Sequence, residues 1–289
     1  MDQGLSSRPQ ISHIIDSVLD LLNIYNERFE EIQEELRVVQ PREAGATLMY
    51  LSRHSEKQPT CFGCPHIDWK RTGLTGGKGE KFLTLRRITG NPVMQVRRQG
   101  RFLDIHDQVQ ALIGEARDLE AEKKKFTKVL GNLSRMISYR FDVPEFGERL
   151  DLYERGEILK EHIILRLNDI DHSLQRWSQE LNELQPGTFP LKVFLAFRRC
   201  SRGCDFCPHP HWAIYRKVRG ESGETKIEAV RVEKPLVSLP RNPKDPEKVD
   251  KIRSIVRNVQ SLLREREGYS DKVSSLTRMY RAKFELAHR

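Results

Sequence analysis

Apolar residues are scarce in this 289-residue sequence, at 37%, while charged residues reach 31% and the mean hydropathy is −0.62. That balance excludes one large core and favours long, solvated helices. Long hydrophobic runs are missing. The longest clear one, Val193–Phe197, falls far short of the roughly 20 residues of a membrane span. The opening MDQGLSSRPQ has no apolar stretch of the kind a secretory signal needs, which sets the expectation of a cytoplasmic protein. Cysteine is sparse as well. Five cysteines in an intracellular chain point to metal or thiol chemistry before disulfides. The length gives a prior of about two domains.

The charge that is present is unevenly spread. The net charge is +9, but residues 1–41 carry −5 and residues 42–102 carry +8. Residues 103–186 carry −5, residues 187–248 carry +6 and residues 249–289 carry +5. Each strongly basic block holds a cysteine cluster. Alternation on this scale suggests a polyanionic partner, although a merely soluble surface would also be charged.

The chain reads as a tandem duplication. Cys64-Pro65-His66-x-x-Trp69 returns as Cys207-Pro208-His209-x-x-Trp212, an offset of 143 that also maps Cys61 onto Cys204 and Leu133-Ser134-Arg135-Met136 onto Leu276-Thr277-Arg278-Met279. An offset of 145 maps Gln40-Pro41 onto Gln185-Pro186. Each copy opens with a heptad-like seam, Val18, Leu22, Tyr25, Phe29, Ile32, Leu36, Val39 in one and Ile163, Leu167, Ile170, Leu174, Trp177, Leu181, Leu184 in the other. Steps of four and three are those of a coiled coil, and Pro41 and Pro186 stop both helices. A second seam closes each copy. In it Lys123 and Arg266 occupy the same position, where a basic residue either fixes register or faces a partner carboxylate or, the favoured reading, extends its stem to water.

Between the seams the period changes to two. Thr47–Ser52, Lys81–Ile88, Leu191–Phe197 and Lys226–Val232 read as strands, with glycine-marked turns between them. The expected fold class is α+β, mostly α: a tandem duplication of units, each helix, small zinc-binding β element, helix, with antiparallel coiled-coil arms. The first repeat spans 1–142, with helix 9–40, zinc/β element 46–101 and helix 104–139. The second spans 143–289, with helix 151–185, zinc/β element 190–234 and helix 247–285.

The strongest chemical signal is Cys61-x-x-Cys64-x-His66, repeated as Cys204-x-x-Cys207-x-His209. A C-x-x-C turn lets two thiolates face one ion, and tetrahedral zinc needs four ligands. Cys200 supplies a further ligand in the second copy. Matching Arg53-His54-Ser55 to Arg199-Cys200-Ser201 places His54 in that role in the first. The candidate sets are His54, Cys61, Cys64, His66 and Cys200, Cys204, Cys207, His209. His211 competes with His209, but the first copy has Asp68 at its place. The expectation is two structural Zn2+ per chain, because four protein ligands leave no position for water. Paired buried cysteines without metal are the plainer reading.

Two other motifs carry less. His54-Ser55-Glu56 ahead of Pro59-Thr60-Cys61-x-x-Cys64 resembles a zinc deaminase signature. In that signature the halves lie far apart in sequence, and Arg202 replaces the glutamate in the second copy. Gly76-Gly77-Lys78 lacks the remaining residues of a P-loop and reads as a hairpin tip.

Basic residues surround the cysteines. Arg53, Lys70, Arg71, Lys78, Lys81, Arg86, Arg87, Arg97 and Arg98 form the first cluster, and Arg198, Arg199, Arg202, Arg216, Lys217 and Lys226 the second. They are the candidate nucleic-acid contacts, suited to phosphates. Phe62, Trp69, Phe206, Trp212 and Tyr215 lie among them. Stacking on bases is one reading, but the matched Trp69 and Trp212 favour core positions beside the metal.

The order of cysteine cluster, histidine-aromatic strand, turn, strand and long charged helix resembles a group of uncharacterised prokaryotic proteins found in mobile elements. The likeness covers Cys200–Arg289 and its first-copy equivalent, and departs in the Cys204-x-x-Cys207 spacing and in Cys-Pro-His. It implies no activity and adds to the case for a DNA-related role. The expected function is a zinc-stabilised, non-enzymatic nucleic-acid-binding protein, preferring duplex DNA and nucleoid-associated in the cytoplasm. The alternative is a coiled-coil adaptor recruiting a protein partner or self-associating. No membrane partner is expected.

Overall fold

A computed structural model of the chain describes residues 8–53, 61–75, 82–138, 151–185, 192–201, 204–219, 225–239 and 245–287. The fold is α+β and mostly helical. Among the described residues four helices, α1 (Pro9–Val39), α2 (His106–Ser138), α3 (Leu152–Leu184) and α4 (Pro246–Ala287), accompany two sheets. The first sheet has the order β1 (Thr47–Ser52), β2 (His66–Thr75), β3 (Phe82–Arg87). The second has β4 (Val193–Arg198), β5 (His209–Arg219), β6 (Thr225–Arg231). Both sheets are antiparallel throughout. Among the described residues, no helix is long and apolar enough to cross a membrane.

The helices form where the seams predict, and local signals set their ends. Asp151 and Glu154 make a reciprocal capping box on α3: Asp151 Oδ1 accepts from Glu154 N at 2.8 Å, and Asp151 N donates to Glu154 Oε2 at 2.7 Å. On α4, Asp245 Oδ1 accepts from Lys248 N at 3.0 Å, with Pro246 as the first helical residue. Seam residues such as Val18, Leu22, Phe29, Leu130, Ile163, Leu167, Leu174 and Val259 are fully buried. Apolar burial along these stripes is the main source of helix stability.

The chain divides into two compact units, and the boundaries fall inside α1, α3 and α4. One unit joins Met1–His13 to Lys160–Ser274, the other Ile14–Leu159 to Ser275–Arg289. Each unit therefore contains segments of both sequence repeats.

In the unit holding β1–β3, α1 and α2 run antiparallel. Arg28 pairs with Glu115 at 2.6 Å, and Tyr25 donates to Glu122 at 2.7 Å. The first turns of α3 belong to this unit too, with Tyr153 donating to Asp20 at 3.1 Å. Met49 and Trp69, directly opposite each other on β1 and β2, are buried.

In the unit holding β4–β6, α3 and α4 run antiparallel. Lys251 pairs with Glu180 at 3.2 Å and Arg166 with Glu265 at 2.8 Å. The start of α1 belongs here: Arg8, itself buried, pairs with Asp171 at 2.7 Å and donates to Asn168 Oδ1 at 3.1 and 3.2 Å. Leu195 and Trp212 form the buried cross-strand pair that corresponds to Met49 and Trp69.

Each sheet carries a two-stranded ribbon beyond its first strand. Pairing of β1 with β2 ends at Thr47↔Arg71, while β2 and β3 continue to Thr75↔Phe82. Pairing of β4 with β5 ends at Val193↔Ile214, while β5 and β6 continue to Arg219↔Thr225.

Candidate metal centres

The tight turn before β5 is built by Cys204–Pro208, with Cys207 N donating to Cys204 O at 2.9 Å and a cis Cys207–Pro208 peptide. Cys200 approaches from the end of β4. The sulfurs of Cys200 and Cys207 lie 3.1 Å apart, and Cys204 Sγ is 3.6 Å from each. His209, the first residue of β5, places Nε2 at 3.2 Å from Cys204 Sγ. All four ligand atoms lie within 4.8 Å of one another. Tetrahedral zinc with Zn–S bonds of about 2.3 Å spaces its sulfurs by about 3.8 Å. This donor set fits such an ion after a small expansion. His211 is not in the group; its Nδ1 lies 3.5 Å from His209 O.

The turn before β2 repeats the arrangement. Cys64–Pro65 is also cis. Cys61 Sγ accepts from Gly63 N at 3.3 Å and lies 3.4 Å from His66 Nε2, at the start of β2. Cys61, Cys64 and His66 form a group capable of holding a metal ion. His54, the expected fourth ligand, lies outside the described residues. None of the five cysteines forms a disulfide.

The sulfurs are electrostatically unequal. The backbone N–H of Cys204, followed by Cys207 and His209, stabilises the Cys200 thiolate and brings its pKa down to about 5. Burial, reinforced by Cys200, pushes Cys204 up to about 11. Burial also raises Cys61.

Each turn is held by cations from the helices. Lys123 of α2 donates to Pro65 O at 2.8 Å and to Asn26 Oδ1 at 2.7 Å. Arg266 of α4 donates to Phe206 O at 2.6 Å, to Pro208 O at 3.1 Å and to Asp171 Oδ1 at 2.7 Å. The expectation that both stems reach water is thereby corrected: Lys123 is 4% exposed and Arg266 5%. Turn carbonyls and an amide or carboxylate take the place of water around each charge. Burial brings Lys123 down to about 8, although the Cys64 and Cys61 thiolates pull it back up. Arg155 Nη1 donates to Cys61 O, and Arg8 Nη1 donates to Asp205 O. Sequence reading assigned none of these four cations to the turns. The matched position of Lys123 and Arg266 was the only signal.

The candidate basic residues lie in different surroundings. Arg71 and Arg86 face each other across β2 and β3, as do Lys70 and Arg87. Arg87 also pairs with Asp68 at 3.0 Å, and Lys70 sits 4.5 Å above the Tyr50 ring. Arg53, Arg198, Arg199 and Arg216 are exposed. Arg198 and Arg199 line an open cleft of about 490 Å³ with Cys200 and His209. Lys217 and Lys226 lie on the second ribbon by register. Arg97 and Arg98 are engaged by the fold itself: Arg97 donates to Ala44 O at 2.8 Å, and Arg98 to His106 Nε2 at 2.9 Å. Lys78, Lys81 and Arg202 lie outside the described residues.

The neighbouring aromatics are structural. Phe62, Trp69, Phe206 and Trp212 are buried, and Tyr215 stacks on Phe194 at 4.6 Å between centroids. No protein-family model, curated protein or solved structure matches this chain.

Proposed function

We propose that this chain is a zinc-stabilised, non-enzymatic nucleic-acid-binding protein with duplex DNA as its preferred ligand. In this reading two basic modules are carried on antiparallel coiled-coil helices. Zinc at Cys200, Cys204, Cys207 and His209, and a second ion at Cys61, Cys64, His66 and His54, fix the turns that start β5 and β2. With four protein ligands each ion is structural, and its binding free energy contributes directly to folding.

The observation that carries the nucleic-acid reading is the charge register of β2 against β3 at the foot of the first ribbon, where β1 also pairs with β2. Arg71 stands directly opposite Arg86, and Lys70 directly opposite Arg87. Like charges in that position destabilise an antiparallel pair by up to about 1 kcal/mol. Among the described residues, neither Arg71 nor Arg86 has a carboxylate partner. A phosphate beside either pair offsets that repulsion, one pair on each face of the sheet because neighbouring strand positions alternate. Arg198 and Arg199 beside the second centre provide a further basic surface, while Arg216 on the second ribbon stands directly opposite Glu228.

A second reading, a protein-recruiting adaptor, is favoured by the ribbon itself, beyond these charged pairs. Leu74, Phe82, Leu83 and Leu85 are about half exposed or more, and Leu74 pairs directly with Leu83. Such a patch suits a protein partner. Binding of the zinc-loaded chain to a duplex oligonucleotide across a salt series separates the two. Phosphate contacts give a steep linear fall of log affinity with log salt. Absence of duplex binding at low salt leaves the adaptor reading in its place.

A further inference from the structure

The buried cations on α2 and α4 have a role that the metal ligands alone leave unexplained. A lysine or arginine at that depth is costly unless its charge and its donors are met. Both are met at one place in each repeat. Lys123 reaches Pro65 O at 2.8 Å and Arg266 reaches Pro208 O at 3.1 Å. Each proline stands between two candidate ligands, Cys64 and His66 in one turn, Cys207 and His209 in the other. The remaining partners correspond as well. Asn26 of α1 and Asp171 of α3 occupy the same place along the opening helices, 145 residues apart, and each binds the cation at 2.7 Å. The carbonyl between two ligands is thus tied through one buried side chain to two helices, α1 and α2 in the first turn and α3 and α4 in the second.

We propose that Lys123 and Arg266 are the positioning residues of the two metal centres, holding the Pro65 and Pro208 carbonyls so that ion binding at each turn and packing of the adjoining helix pair depend on each other. The inference rests on the metal-binding reading above. It adds that the ion controls the helices as well as the turn. Neither residue touches the ion; each acts by orienting the backbone that carries the ligands, as outer-shell partners do. Arginine suits the second turn because its fork spans two carbonyls, Phe206 O at 2.6 Å and Pro208 O at 3.1 Å, while Nε meets Asp171. Lysine, with one point charge, serves one carbonyl and one amide.

The test is Co2+ titration of the full chain, followed by thiolate-to-cobalt charge-transfer absorption. The two centres differ in thiolate count, three against two, and so in band intensity. Arg266→Met is expected to weaken Co2+ binding at the three-thiolate centre by about 10- to 100-fold and leave the other unchanged. Arg266→Lys should recover most of that loss. Lys123→Met should reverse the pattern. Equal Co2+ affinity at both centres in wild type and both Met variants overturns the proposal while leaving the metal reading intact. Wild type that binds no Co2+ overturns the metal reading and the proposal with it. Hydrogen exchange on wild type gives a check that no misfolded variant can obscure. Chelation should speed amide exchange in α4 around Arg266 and in α3 around Asp171. Unchanged protection there overturns the coupling.

Discussion

Gln185 satisfies both backbone groups of Val193. Its Oε1 accepts from Val193 N at 3.0 Å, and its Nε2 donates to Val193 O at 2.8 Å and to Leu181 O at 3.1 Å. Gln40 does the same for Thr47 N and O, at 2.8 and 2.6 Å, and for Leu36 O at 3.0 Å. All three groups are buried at each junction. The glutamine acts as a rung that joins the end of a helix to the first strand of its sheet. Gln185→Leu strands a buried N–H and a buried carbonyl, at about 1–3 kcal/mol each. Urea unfolding should show a loss of roughly 2–5 kcal/mol, and a loss below about 0.5 kcal/mol would contradict this role.

Metal content is countable. The protein purified without chelator should carry two zinc ions per chain by elemental analysis. Cys207→Ser and Cys64→Ser should each remove one. A single ion in wild type, lost with Cys207 but not with Cys64, would mean that the first set does not hold zinc.

Metal loading should release protons, because zinc takes thiolates. Cys204, held up to about 11 by burial, carries its proton at neutral pH and must lose it. Cys200, brought down to about 5, is already ionised there. Affinity therefore rises with pH, and the second centre should release at least one proton but fewer than three near pH 7.5. Calorimetry in buffers of different ionisation enthalpy measures the number. Release of three protons at that centre would contradict the ionised state of Cys200.

The helices were legible in the sequence because their stripes are long and their buried positions, Val18, Leu22, Phe29 and Ile163 among them, keep one register. The central strands were harder to see. Trp69 is the one buried residue of β2, so the alternation is weak. In β5 the consecutive run Trp212, Ala213 and Ile214 is buried, which breaks a period of two. The metal groups were legible through spacing, since ligand geometry constrains neighbours in sequence. Their supports were not. Lys123 meets a carbonyl 58 residues away, and Arg8 one 197 residues away. No local pattern encodes those separations. For the same reason Arg97 and Arg98 read as free charges, although the fold engages both.

The central claim is that the paired cations at the foot of the first ribbon bind phosphate. Its most direct test is the salt dependence of duplex DNA binding by the chain in which Lys70, Arg71, Arg86 and Arg87 are all changed to glutamine, with zinc content and helical circular dichroism matched to wild type. Each lost phosphate contact lowers the slope of log affinity against log salt by about 0.9. The account predicts weaker binding at every salt concentration and a slope reduced by up to about 3.6. An unchanged slope in a variant that keeps its zinc and its helices would contradict it.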